Sequence, residues 1–485
     1  MTPLAHNDRR IFSSRRLALT LAVSGALLLS GCASVDINQS IARVNQEVNS
    51  VTSGKLALAQ TDRERDDLQS AATAILAKPL GAEQAVQLAL VNSPSMQALL
   101  AQSWADGAGA AQSGRLPNPL LTLDRIVSPS SIDLGRMLGI GLLDILTLPQ
   151  RNRASLGRIE QLQLQLTSDV VERAMRVRQA WVNAVAAQQS LSYAKQVSDS
   201  AEASAELARR MLEVGNFNKL QRARQQAFYA DATAQWANAA HVATASREAL
   251  VRLLGLTDAQ ARQLQLPERL PDIPATPRAP DEVSATASRG RLDVRSAQAA
   301  LNATAAAQGL NALASFTDIE LSVVHNTAKD RIDGQRTQSR GVEIALTLPI
   351  FDWGDLKRNA MNAQMLAATQ RVEAAVRAAG SSLRESYSVY RTTYDIAKHY
   401  RDEIVPLRKL IADENVLRYN GMIIGVFELL ADSRDQIASV IAAINAQQQF
   451  WLADAALQSA ILGKPVMTQS TGMTPTSSGG SDAMH

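Results

Sequence analysis

GVEIALTLPIFDWGD, Gly341 to Asp355, changes its period partway along. Val342, Ile344, Leu346 and Leu348 alternate with Gly341, Glu343, Ala345 and Thr347, the period-2 pattern of a strand with one apolar and one polar or small face. Pro349 cannot continue a hydrogen-bonded ladder, Gly354 permits a bend, and an Ala-rich segment of helical period follows. Much earlier, LTLPQRNRAS begins at Leu146 and also leads into an Ala/Leu/Gln-rich helical run. The same strand-to-helix junction thus reads as written twice in the chain, the signature of a tandem repeat.

Working outward, the segments around each junction fall in the same order. In the second half, RLDVRSAQAALNATAAAQGLNAL (291–313) reads as a helix. DIELSVVHN (318–326) and GVEIALTLPI (341–350) read as two strands around a polar loop. A long helix is predicted over 355–419, a break at NGMIIGVFE (420–428), and a last helix to about 463. In the first half, KPLGAEQAVQLALVNSPSMQALLAQ (78–102) is amphipathic, with Pro94 marking a kink or boundary. LLTLDRI (120–126) and LGIGLLDILTLP (138–149) read as strands around a turn-rich loop, although Asp144 falls on the mostly apolar face of the second. A helix over 153–213 carries Leu166, Val170, Ala174, Val177, Trp181 and Val185 at coiled-coil spacing. VGNFNKL (214–220) breaks it, and another helix runs to about 254. The expected organisation is a first repeat at 78–265, a Pro-rich linker at 266–282, a second repeat at 283–464 and a low-complexity, disordered tail at 465–485.

The amino terminus reads as an export signal, residues 1–31: four arginines, then the apolar run Leu17–Leu29, too short to span a bilayer. It ends in LSGC, Leu29 to Cys32, which resembles a bacterial lipobox. Cys32 is the only cysteine, so no intrachain disulfide is possible and lipid attachment is its expected role. Ala33 after it implies sorting to the outer membrane, and 32–77 reads as a polar, weakly helical tether. The chain has 49 basic and 46 acidic residues; removing the signal's four Arg and one Asp leaves 45 of each, so nucleic acid is not an expected partner. Aromatic residues are 4% of the chain, poor material for bulky globular cores but suited to long helices packed closely side by side.

Four alternating strands are too few to close a membrane barrel, which begins at about eight. Unpaired strand edges in lipid are too costly to persist, so the strands must be shared between chains. A trimer would supply twelve, four from each copy, enough to enclose an open lumen. Apolar faces would then meet lipid, with Glu320, Glu343 and Thr347 facing water inside.

Six stretches in order resemble the TolC-like outer membrane efflux protein family, in its lipoprotein branch: KPLGAEQAVQLALVNSP, GRLPNP (114–119), VGNFNKLQRARQQAFYADA, RGRLDVRSAQAAL, ALTLPIFDWGDLKRN and RYNGMIIGVFELLADSRDQ. The resemblance implies a mixed α and β membrane protein, a trimeric 12-stranded outer-membrane β-barrel continuous with an α-helical periplasmic barrel. It implies a homotrimer among outer membrane lipids, acting as the exit duct for small molecules, drugs or metal ions. The implied partners are a periplasmic adaptor (membrane fusion) protein and an inner-membrane pump of the resistance-nodulation-division type, in a Gram-negative bacterium. Gly215 and Gly421 fall at the family's two helix-tip turns, and Arg418, Tyr419, Glu428 and Asp432 at its periplasmic gate. At the second acidic gate position this chain has Ala431, with Asp432 one step on. Phe351 and Trp353 suit the membrane interface, where aromatic rings settle.

No catalytic function is expected, and no cofactor or metal. The five histidines are scattered, and no phosphate loop or nucleophile elbow is present. The competing readings are a duct for a type I protein-secretion transporter and a lipid-anchored structural or adaptor protein without a pore.

Overall fold

The computed structural model describes residues 36–464 except 53, 289, 315–318 and 349; Cys32, the export signal and the 465–485 tail lie outside the described residues. In order, the elements are α1 Ile37–Thr52, α2 Asp62–Leu76, α3 Ala82–Asn92, α4 Pro94–Ser113, β1 Leu120–Val127, β2 Ser131–Gly141, α5 Leu142–Glu213, α6 Lys219–Leu254, α7 Asp258–Gln263, α8 Pro280–Ser288, α9 Leu292–Ala314, β3 Ile319–Asp330, β4 Arg336–Leu346, α10 Asp355–His399, a π-helical turn Tyr400–Ile404, α11 Val405–Asn420 and α12 Val426–Ile461. The protein is thus mostly helical with one antiparallel sheet, ordered β1-β2-β3-β4. No described helix is long and apolar enough to cross a membrane.

Packing divides the chain into two units. The first holds the sheet and the helical segments of residues 99–166 and 294–376. Small residues let its helices approach closely. Gly157 of α5 lies against Ala303 of α9, where an added Cβ would stand 3.4 Å from the Ala303 Cα. Ser155 donates to the Ala110 carbonyl at 2.7 Å, and Gly114 lies against Ser155.

The second unit holds residues 45–98, 167–293 and 377–464. The seam predicted on α5 is present: Leu166, Val170, Ala174, Val177, Trp181 and Val185 are all buried. The Trp181 indole N–H donates to the Leu80 carbonyl at 2.6 Å, so its one polar atom is satisfied. Tyr390, Tyr394 and Phe450 are the largest fully buried side chains and pack as tilted and edge-on rings. Asp454 is buried beside them, 3.3 Å from Arg278, and burial pushes its carboxyl above the usual carboxylate range against the pull of that arginine.

Five expectations change or sharpen here. The second strand is 131–141, not 138–149: β2 starts directly after a short turn at 128–130 and ends where α5 begins at Leu142. An apolar run such as LLDILTL suits a buried strand or a helix equally well, and Asp144 is the residue that distinguishes them. It lies in the first turn of α5, where an acid is favourable, and pairs with Arg151 at 2.5 Å. The first LTLP, with Pro149, is therefore inside a helix, while the second sits at the end of β4. The second hairpin is longer and its loop tighter than expected, with strands at 319–330 and 336–346 rather than 318–326 and 341–350.

The 32–77 segment is more than a polar tether. Ile37, Ile41, Val44 and Val48 of α1 are buried, and α2 opens with a complete capping box between Thr61 and Glu64. The Pro-rich linker is likewise held down. Tyr394 donates to the Ala275 carbonyl at 2.8 Å, Tyr387 to Arg278 at 3.0 Å, and Trp451 and Gln447 to Pro271 at 2.9 and 2.7 Å. Finally, the helix predicted over 355–419 is interrupted by the π turn at Tyr400–Ile404, just before Pro406. Proline has no amide hydrogen to give, and a locally widened turn accommodates that gap.

Candidate functional site

Two places combine unusual geometry with the residues singled out above, one in each unit: the sheet and the helix tips.

The register of the sheet sorts its side chains onto two faces. Leu121 pairs with Leu138, Leu138 with Val323, and Val323 with Val342. Alternation then places Leu123, Leu134, Ile140, Leu321, Ile344 and Leu346 on the same face. Most are exposed, so none of the described residues covers this face. The opposite face carries Asp124, Asp133, Glu320, Asp330 and Glu343, which are all the acidic residues of the four strands. Two glycines lie among them: Gly135 lies against the Asp124 carboxylate and Gly139 against Glu320, so a side chain at either would displace the carboxylate. Glu320 and Glu343 therefore share a face opposite the aliphatic one, as the alternation predicts. The sheet's outer edges, on β1 and β4, have no strand partner among the described residues, and every residue of β4 is exposed.

Beyond β4 the chain turns into α10 through Gly354, which has a left-handed φ of 69°. Phe351 and Trp353 project there, 97% and 65% exposed. The corresponding residues after Pro149 are helical and carry no aromatic ring, so the exposed aromatic pair belongs to the second junction alone.

Both helix tips end in the same way. At the first, Asn216 N–H donates to the Met211 carbonyl at 2.9 Å and Gly215 N–H to Leu212 at 3.1 Å, with Gly215 left-handed at φ 76°. This is a Schellman stop with glycine where it is favoured. At the second, Ile423 donates to Arg418 and Met422 to Tyr419, both at 2.9 Å. The left-handed residue is therefore Met422, φ 57°, not Gly421, whose φ is −78°. Among non-glycine residues described, only Met422 has a positive φ. The helices leaving the tips differ too. Asn218 and Gln221 form a full capping box on α6, whereas Gly425 gives α12 no side-chain cap. The second tip is the strained, uncapped one.

The four candidate gate residues separate into two groups. Arg418, Tyr419 and Glu428 are exposed around the second tip. Asp432 is half-buried and accepts a hydrogen bond from the buried Asn415 of α11, tying the two arms of the hairpin together. Arg434, one turn from Asp432's neighbour Ala431, packs its guanidinium 4.2 Å from the Phe228 ring centre of α6 and reaches Gln225. Burial lowers its pKa. Arg408 pairs with Asp435 at 3.1 Å. These contacts brace α12 against α11 and α6, and the family resemblance had not pointed to them.

Residues 283–461 match the family model described as Outer membrane efflux protein. No curated protein sequence matches the chain. Solved structures similar to it include a membrane protein from Pseudomonas aeruginosa, 23% identical, with a TM-score of 0.66 over 78% of this chain and 93% of that one. The outer membrane protein VceC of Vibrio cholerae is similar at 15% identity and a TM-score of 0.65, covering 82% and 98%. The open-state outer membrane channel MtrE of Neisseria gonorrhoeae is similar at 20% and 0.63, covering 80% and 91%. The chain therefore has the fold of the TolC-like outer membrane channels, and residues 283–461 carry the sequence pattern of the outer membrane efflux protein family.

Proposed function

We propose that three copies of this chain form an exit duct through the outer membrane, closing a twelve-stranded barrel above a helical tunnel. The observation that carries this reading is the sheet. One face is aliphatic and uncovered, the other holds every acidic side chain, and both edges are open. In water such a sheet would expose an apolar face and two unpaired ladders. In a shared barrel the apolar face meets lipid, the edges pair between copies, and the acids line a wet lumen. Each copy of the two-part plan, 78–265 and 283–464, contributes one hairpin and one helix pair, with the linker 266–282 between them.

Within this duct, Glu428 of each copy rings the periplasmic mouth beside Arg418 and Tyr419, and the negative charge favours cations. The strained second tip is the arm suited to move, since Met422 already stores backbone energy there. Phe351 and Trp353 sit at the inner membrane-water boundary. Cys32 carries the lipid anchor, a periplasmic adaptor meets the tips, and an inner-membrane pump of the resistance-nodulation-division type drives export. The cargo is small molecules, drugs or metal ions.

Detergent-purified protein should run as a trimer by mass and should open cation-preferring channels in planar bilayers. A monomer without conductance would sink the duct reading and favour a lipid-anchored structural protein.

A further inference from the structure

The same register that gathers the acids also gathers the bases. Arg125, Arg136, His325, Lys329, Arg336 and Arg340 are all the basic residues of the four strands, and all six fall on the aliphatic face. They are not spread along it. β1 and β3 run from the helices out to the hairpin turns at 128–130 and 331–335, and β2 and β4 run back. The rows nearest the helices are aliphatic throughout: Ile319 with Leu346, then Ile140, Leu321 and Ile344, then Leu121, Leu138, Val323 and Val342. Bases start in the next row, where Arg136 pairs with His325 and His325 with Arg340. Two rows further out, Lys329 pairs with Arg336.

Like charges directly opposite each other across a ladder are destabilising. None of Arg125, Arg136, Lys329, Arg336 and Arg340 forms an ion pair or side-chain hydrogen bond among the described residues, and the acids that might neutralise them point to the other face. A soluble sheet would intersperse the signs. This one sets Lys329 directly against Arg336, and groups Arg136 and Arg340 on either side of His325, beyond an aliphatic band.

We propose that this belt binds lipids whose phosphate headgroup carries net negative charge, the acyl chains lying on the aliphatic rows and the phosphate between Arg136, Lys329 and Arg340. The proposal rests on the barrel reading above, in which this face meets lipid. Arginine and lysine suit the partner: both are strong phosphate donors, and their long stems let the charge rise to headgroup level while the methylenes stay on apolar surface. The phosphate, in turn, relieves the cross-strand repulsion, so lipid and sheet stabilise each other.

The test is a titration of delipidated trimer in neutral detergent with phosphatidic acid or phosphatidylcholine, bound lipid being counted by native mass spectrometry. Phosphatidic acid should bind in preference to phosphatidylcholine. A cation near an anionic lipid surface is worth about fivefold in affinity, so the triple variant Arg136→Gln, Lys329→Gln, Arg340→Gln should lose on the order of a hundredfold. The charge-keeping variant Arg136→Lys, Arg340→Lys should retain the preference, which separates loss of charge from loss of fold. Equal binding of phosphatidic acid by the wild type and the triple Gln variant would overturn the proposal. So would competition by inorganic phosphate at the same concentration, which would mark an ion site rather than a lipid surface. Conductance in phosphatidylcholine bilayers keeps the two readings apart. A conducting wild type without lipid preference removes only the lipid belt, whereas a wild type that neither assembles nor conducts removes the barrel and the belt together.

Discussion

Met422 occupies a backbone conformation that costs an ordinary L-residue about 1–2 kcal/mol and costs glycine nothing. Substituting glycine also raises the entropy of the unfolded chain, at a cost of roughly 0.4–1 kcal/mol. Met422→Gly should therefore stabilise the protein by a net ~0.5–1 kcal/mol, read as a higher denaturant midpoint; a neutral or lower midpoint would show that the second tip holds no strain. The two acids nearby should behave differently from each other. Glu428 is exposed with no bonded partner among the described residues, so Glu428→Ala should reduce cation selectivity in single-channel recordings and leave stability unchanged. Asp432 accepts from the buried Asn415, so Asp432→Ala leaves a buried donor unpaired and should cost about 1–3 kcal/mol. Identical effects of the two substitutions on selectivity, with no change in stability, would reject that division of labour. The resemblance marked both residues alike; only the contact between the arms separates them.

Among the elements, the long helices and the second hairpin were legible because one physical pattern dominated each. The α5 seam keeps its spacing through six buried residues, and β3 and β4 alternate cleanly over their helix-proximal halves, 319–323 and 341–346, the outer halves being too polar to read as strand. Legibility failed where patterns compete. LLDILTL satisfies a buried strand and a helix alike, and Asp144, which disturbs the strand reading, is the residue that closes the first turn of α5 onto Arg151. In α1 the polar content hid Ile37, Ile41, Val44 and Val48, whose helical spacing was present all along. The linker's contacts were hidden differently: prolines mark the absence of regular structure, not the absence of contacts. Its backbone carbonyls are bound by tyrosine and tryptophan donors that lie far along the chain, and no local window contains both. The strap should therefore contribute to stability. Tyr394→Phe removes one hydroxyl that donates to Pro274 and Ala275 and keeps the buried ring, so a loss of about 0.5–1.5 kcal/mol is expected. Protease should then cut within 266–282 sooner than in the wild type; unchanged cleavage would show that the linker is held by other contacts.

At the scale of the whole molecule, the sheet's parity makes barrel closure testable in detail. In each copy β1 runs outward and β4 returns, so β4 of one copy can pair antiparallel with β1 of the next, and an even number of strands closes the ring without a mismatch. Closure also preserves the two faces, because side chains alternate and a slip of one residue would turn lipid-facing groups into the lumen. Leu123 lies on the aliphatic face of β1. On β4 that face is held by residues 340, 342, 344 and 346, and the acidic face by 341, 343 and 345. With Leu123→Cys in place, a second cysteine at Arg340, Val342 or Ile344 should cross-link neighbouring copies into covalent trimers at one or two of these positions, where the Cβ atoms approach within about 3.5–4.5 Å. Cysteines at Gly341, Glu343 or Ala345 should not, since their side chains leave the sheet on the opposite side. Denaturing gels read the outcome directly as a ladder of dimer and trimer. Cross-links that ignored this parity would mean that the copies do not share one continuous sheet. Their absence at every position would mean that β1 and β4 do not meet, and the uncovered aliphatic face would then need another partner.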